Sequence, residues 1–355
     1  MEIMNQPLGK IIEEQKDILA NLIVDEQWAR NPQFTDRYGA TGRAKCVQDV
    51  NYNLSYLSQA ITSNSPPLFA TYIEWVKTLF QGLRIPVFEL SESLEITGFI
   101  LKQRFPGDET DIIIEHFIKT GLKQLTNAME PAPSFLDASQ LSELAHQYLE
   151  TLRHGERSTA SQMILNAIEQ GTPVKDIYMQ VFQPSQYEIG RLWQTNQISV
   201  AEEHYCTAAT QTIMAQLYSR IFNTEKNGRR MVATCIGNEL HEIGLHMVAD
   251  FFEIEGWDTY YLGSNTPTAS ILQTLAERKP HVLAISATMT FHVKLVNDLI
   301  EQVRAVDPDR RIKILTGGYP FNIERELWRQ VGADSYAANA EQAVITANAL
   351  LETRA

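Results

Sequence analysis

The sequence predicts an α + α/β chain, and three observations predict it. Apolar residues recur at helical spacing through the first third. The middle stretch reads as further helix with no strand signal. After Arg229, short β-rich runs alternate with amphipathic helical runs. The 355 residues suit two or three domains, and an apolar content of 44% can fill their cores. The expected domains are a helical one over 1–130, a set of four helices over 135–222, and a parallel-sheet domain over 229–355.

In the first domain, Val50, Leu54, Leu57 and Ile61 form one apolar stripe, and Ile112, Ile113, Phe117 and Leu122 another. Beside the first stripe, Arg43, Cys46 and Asp49 stand three apart and so share a face. The Pro-rich run around Pro131 and Pro133 is the expected boundary. In the middle domain, Gly171-Thr172-Pro173 separates two helices, and Gln194-Thr195-Asn196-Gln197 makes a turn. Ser199 with Glu202 reads as a capping box that starts a new helix. Trp193 then ends one helix, and Glu203 and His204 open the next.

In the third domain, MVATCI, WDTYYLG, HVLAIS and IKILTGG read as strands, with a weaker fifth at Asp334–Ala337. Their alternation with helices predicts a doubly wound parallel sheet, whose ligand sites lie at the carboxyl ends of the strands. After the first strand comes Gly237-Asn238-Glu239-Leu240-His241-Glu242-Ile243-Gly244. An imidazole at a strand end can reach a metal held in a large planar ligand. Glu239 is placed to accept a hydrogen bond from its other ring nitrogen and fix the tautomer. Gly244 lets a bulky group lie near the backbone. The run Gly263–Pro267 opens a helix, whose free amides can meet a polar part of a ligand.

Composition narrows the functions. The net charge is −13, and the only dense basic pairs are Arg229-Arg230 and Arg310-Arg311. A protein that grips nucleic acid by its phosphates needs a basic face, so direct nucleic-acid binding is not expected. No apolar run has membrane-spanning length, and the charged start lacks the apolar core of a signal peptide. Cys46, Cys206 and Cys235 form no disulfide framework, which points to a reducing cytoplasm. Triad, P-loop and zinc motifs are absent.

The strand-end motifs resemble the cobalamin-binding family that includes the cobalamin domain of methionine synthase. Its pattern is Asp-x-His-x-x-Gly, then Ser-x-Leu, then Gly-Gly. Here Glu239-x-His241-x-x-Gly244 is followed, after 41 residues, by Ser286-x-Thr288 and later by Gly317-Gly318. Glu replaces Asp and Thr replaces Leu. The resemblance implies a Rossmann-like fold with His241 as the lower ligand to cobalt. It also implies a nucleotide tail in a slot lined by Ser286 and Thr288, with Gly317 and Gly318 leaving room for it.

Trp193, nine residues, then Glu203-His204 resembles the motif of the light-sensing adenosylcobalamin photoreceptors related to CarH repressors. That resemblance implies a helical-bundle cap in which Trp193 and Glu203 pack on the adenosyl group. His204 is then the candidate upper ligand after light breaks the cobalt–carbon bond. Tyr205 stands where those repressors often have a second His. Their DNA-reading segment has no counterpart here.

The helix with Arg43, Cys46, Asp49, Leu54, Tyr56 and Ala60 resembles the chromophore helix of the globin-like phycobiliproteins. The resemblance implies a bilin against Cys46, with Asp49 on the pyrrole nitrogens and Arg43 on a propionate. Together the pieces resemble photocobilins, which pair cobalamin with biliverdin. The expected function is a light sensor, not an enzyme. It would use adenosylcobalamin and biliverdin, assemble as a homo-oligomer (dimer or tetramer), and signal to an unidentified partner protein. Two alternatives stay open: a corrinoid carrier for methyl transfer, and a cobalamin-dependent regulator of transcription acting through a partner.

Overall fold

The computed structural model describes residues 2–127, 133–222 and 224–352. Pro131 and its neighbours, half of the expected boundary, lie outside them. The chain forms two compact units. One is 1–129 with two excursions, 288–294 and 319–331, and the other is the remainder.

The first unit contains α1 (Glu2–Arg30), α2 (Gln33–Thr62), α3 (Pro66–Gly82), α4 (Val87–Arg104) and α5 (Asp108–Thr126). Gly39, at φ 60°, kinks α2 near its start. The stripe Val50, Leu54, Leu57 and Ile61 is buried as its spacing requires. On α5, Ile113 and Phe117 are buried but Ile112 faces solvent.

The second unit begins with α6 (Ser142–Arg153), α7 (Arg157–Glu169) and α8 (Val174–Ile177). α8 runs through a π turn (Tyr178–Phe182) into α9 (Gln183–Gln194), and α10 (Val200–Gln216) and the short α11 (Tyr218–Ile221) follow. Half of the capping box forms: Ser199 Oγ accepts from Glu202 N at 3.1 Å, while the Glu202 carboxylate turns to Arg153 Nε at 3.2 Å.

The sheet comprises β1 (Arg230–Cys235), β2 (Asp258–Tyr261), β3 (Val282–Ser286), β4 (Lys313–Gly317) and β5 (Ser335–Ala337). All pairings are parallel, in the order β2-β1-β3-β4-β5. Between the strands run α12 (Ile243–Ile254), α13 (Thr268–Arg278), α14 (Val293–Val306), α15 (Tyr319–Ile323) and α16 (Leu327–Gln330), and α17 (Ala340–Glu352) follows β5. Met231, Ala233, Cys235, Val282, Ala284 and Leu315 face one continuous core shared with α12, α17 and the helices α6–α10. The alternate residues Val232, Leu283, Ile285 and Ile314 are buried as well, as a sheet covered on both faces requires. The strand order reverses between β1 and β3, and that switch point is where such sheets take their ligands.

Under the helical layer, Asp250 of α12 is buried and accepts from Tyr178 Oη at 2.7 Å. Burial pushes its carboxyl from 3.8 up to about 7; the Tyr178 bond pulls down, and Glu253 adds to the rise. An acid raised in the folded state contributes stability that is whole below the unfolded value and is lost as pH climbs through the folded one. Stability should therefore fall between about pH 4 and pH 7. Asp250→Asn keeps an acceptor for Tyr178 and removes the charge. Denaturant melts at pH 8 should show the variant gaining about 1–3 kcal/mol over the parent chain, with no gain near pH 4. Equal gains at both pH values would show that this carboxyl does not set the profile.

Candidate functional site

The loop from Ile236 to Glu242 leaves β1 at the switch point and carries His241. It is tied at several points. Asn238 N donates to Asn265 Oδ1 at 2.9 Å, Asn265 N to Glu239 O at 3.1 Å, and Glu239 N to Ile236 O at 3.2 Å. Asn238 takes φ 65°, which Asn tolerates better than most residues.

Glu239 is fully buried, while the His241 side chain is 62% exposed. Glu239 Oε1 lies 2.6 Å from His241 Nδ1 and also accepts His241 N at 3.1 Å. A carboxylate can only accept, so Nδ1 carries the proton and Nε2 is left as a lone-pair donor. The Glu239 bond raises the imidazole pKa; burial opposes the rise, and the charges of Glu239 and Glu203 add to it. Glu203, in the first turn of α10, is thus near enough for its field to reach His241.

Across the strand ends, Cys235 of β1, Ser286 of β3 and Gly317 of β4 stand in register. Ser286 is half-buried. Thr288 lies two residues beyond it and belongs to the excursion 288–294. The glycines divide by role. A Cβ on Gly244 or Gly237 would meet nothing within 4 Å, so the space beside the His241 loop is open. A Cβ on Gly318 would fall 2.0 Å from Ala287 O, and one on Gly317 3.2 Å from Ala337 O. Both glycines therefore let neighbouring backbone approach closely at the strand ends. The expectation for Gly263–Pro267 changes. Ser264 N donates to Glu242 Oε2 at 2.8 Å and Asn265 N to Glu239 O, so neither amide waits for a ligand.

On the helical side, Trp193 ends α9 and packs half-buried against the shared core. Glu203 Oε1 accepts from Thr207 Oγ1 at 3.2 Å. His204 bonds Glu203 through Nδ1 and is 76% exposed. As placed, His204 faces solvent beside Glu203.

Among the described residues, no group of three or more His, Cys, Asp or Glu side chains is placed to hold a bare metal ion. A single buttressed imidazole suits a metal that brings its own equatorial ligands. The site therefore fits cobalamin on three counts: an exposed donor nitrogen, a buried carboxylate fixing its tautomer, and open space beside Gly237 and Gly244.

In the first unit, Cys46, half-buried, lies 3.7 Å from Gln27 Oε1. Burial, then Asp49 and Glu89, push its thiol up to about 12. It is thus held as thiol, a poor nucleophile for thioether formation. Asp49 is solvent-accessible, yet the neighbours crowding it raise its carboxyl pKa by displacing water. Arg43 is paired with Asp25, so a propionate there would have to displace that partner.

Sequence reasoning passed over Glu242, His246 and Asp250. A signal was present: ionisable residues four apart on a helix that otherwise reads as apolar, IGLHMVADFF.

Comparison with known proteins bears on the segments that carry these residues. Residues 229–345 match a family described as B12 binding domain, and residues 144–218 match a second family with the same description. Dimethylamine corrinoid protein 3 of Methanosarcina acetivorans is 24% identical over 199 residues, covering 55% of this chain and 92% of the relative. Trimethylamine corrinoid protein 1 of Methanosarcina mazei is 27% identical over 166 residues, covering 47% of this chain and 74% of the relative. The solved monomethylamine corrinoid protein of Methanosarcina barkeri superposes with a TM-score of 0.53 at 20% identity, covering 60% of this chain and 99% of that one; it shares the fold. Both domain matches are to B12-binding domains, and on them the chain is a cobalamin-binding protein. Neither reaches residues 1–143. Among the described residues, no helix is long and apolar enough to cross a membrane.

Proposed function

We propose that the chain is a corrinoid carrier: it holds a cobalamin with His241 beneath the cobalt and presents the upper face to a partner methyltransferase. The observation that carries this is the His241–Glu239 pair at the end of β1, in a chain whose relatives include methylamine corrinoid proteins. Bound cobalamin would supply a cobalt–carbon bond that gives up its carbon to a partner. The protein's own residues do the rest. Glu239 holds the Nδ1 proton and keeps Nε2 aimed outward. Ser286, in register with Gly317, would border the tail at the strand ends. Trp193 and Glu203 shield the upper face from water.

A second reading is favoured by one observation. The charge of Glu203, in the first turn of α10, reaches His241, and Trp193 at the end of α9 would join it in capping a bulky upper group such as adenosyl. On that reading the chain is a light sensor that signals to a partner through a change of oligomeric state. Arg43, Cys46 and Asp49 would then hold biliverdin non-covalently.

One experiment separates the two. Cofactor-free chain is loaded with methylcobalamin or adenosylcobalamin in the dark, and elution volume and spectrum are recorded before and after green light. The carrier reading expects comparable uptake of both forms, an unchanged elution volume after illumination, and methyl turnover with a partner enzyme. Preference for the adenosyl form of about tenfold or more, lost in Trp193→Ala, with a light-dependent shift in elution would overturn it in favour of the sensor. A red absorption band with added biliverdin, absent in Asp49→Ala, would place the second chromophore.

A further inference from the structure

The helical layer meets α12 along a polar line. Glu242 caps the start of α12, and His246 and Asp250 follow at intervals of four, so the three share one face. Each holds a residue of the helical layer. Gln211 Nε2 of α10 donates to Glu242 Oε1 at 2.9 Å. Tyr218 Oη of α11 lies 2.7 Å from His246 Nε2. Tyr178 Oη donates to Asp250 Oδ2 at 2.7 Å. His246 also stacks on Tyr261, with ring centroids 4.8 Å apart and planes 12° apart.

Glu242 is the residue after His241, and its carboxylate is engaged on both sides. Oε2 accepts Ser264 N at 2.8 Å and Tyr261 Oη at 3.3 Å, while Oε1 accepts Gln211. Gln211 stands eight residues along α10 from Glu203, about two helical turns. One rigid helix therefore carries the carboxylate near the upper face and the amide that grips the loop of the lower ligand.

We propose that Glu242 is a positioning residue which, through Gln211, couples the placement of α10 to the placement of His241. The inference rests on the cobalamin reading of the site. A displacement of α10 breaks the Gln211 bond and frees the loop end that carries the imidazole. An apolar contact would tolerate sliding; a carboxylate with three directional donors does not.

The test uses the full chain. In cofactor-free protein, amide exchange at Asn238, Glu239 and His241 is expected to quicken by roughly fivefold in Gln211→Ala, the scale of one lost hydrogen bond. In Glu242→Gln it should stay near the parent rate, because an amide there still accepts from Ser264 and can donate to a turned Gln211. In cobalamin-loaded protein, excess cyanide should replace His241 faster in Gln211→Ala, by the same factor, with unchanged cobalamin stoichiometry. Gln211 is half-exposed, so its truncation leaves the fold intact. Normal uptake with parent-like exchange and cyanide rates would overturn the coupling alone. A parent chain that takes up no cobalamin would overturn the reading of the site and the inference with it.

Discussion

In His241→Ala protein, cobalamin affinity is expected to fall by at least tenfold, since losing merely the partner that supports a metal ligand costs roughly tenfold to a hundredfold. The electron paramagnetic resonance spectrum of the reduced, cob(II)alamin-loaded protein is expected to lose its lower-axial nitrogen splitting. The expectation follows from the geometry. Glu239 is fully buried, and its Oε1 takes both Nδ1–H and the backbone N–H of His241. Oε1 of the buried carboxylate thus orients the imidazole through two hydrogen bonds, and Nε2 of the ring is left to bind. Removing the ring also leaves Glu239 buried with one of its partners gone, a cost of about 1–3 kcal/mol. The stability of the cofactor-free chain should drop by that much. A variant that binds cobalamin as tightly as the parent, with the nitrogen splitting intact, would show that another residue ligates the cobalt.

Gly318→Ala is expected to destabilise the chain by about 3 kcal/mol or more, read from urea denaturation. Two costs combine. Gly318 sits at φ +100°, which an alanine adopts only under strain, and the added Cβ would lie 2.0 Å from Ala287 O and 2.8 Å from Ala287 C. Those atoms are backbone, so the loops after β3 and β4 must part, and Ser286, one residue before Ala287, moves with them. Gly244→Ala is the contrast. Its Cβ meets nothing within 4 Å, and it lies in the first turn of α12, so stability should hold or rise by about 0.5–1 kcal/mol. Its effect should fall on cobalamin uptake, because the methyl enters the open space beside His241. Equal loss of stability in both variants would contradict this division of roles.

The strands and the His241 loop were legible in the sequence because they depend on neighbours, and the alternation of strand and helix made the parallel pairing legible, but not the strand order. MVATCI or HVLAIS is β-rich whatever lies elsewhere, and Glu239 meets a histidine only two residues away. The same holds for Trp193 at a helix end with Glu203 at the next helix start. The face shared by Arg43, Cys46 and Asp49 was also legible, but the pairing of Arg43 with Asp25 was not, since Asp25 lies on another helix. Ile112 reads as core by spacing and is exposed, because periodicity marks a stripe but not its edge.

Local spacing therefore determined the kind of fold, the position of the strand-end imidazole of His241 and the residue that fixes its tautomer. Tertiary structure alone decided what the glycines are for, where His204 points, and that Gln211 reaches Glu242. Each of those depends on two segments at least 20 residues apart in the chain, or on the solvent side of a packed helix. The physical reason is range: propensity and periodicity act over a few residues, whereas a 2.0 Å clash or a 2.9 Å hydrogen bond between distant segments exists only once the elements have packed.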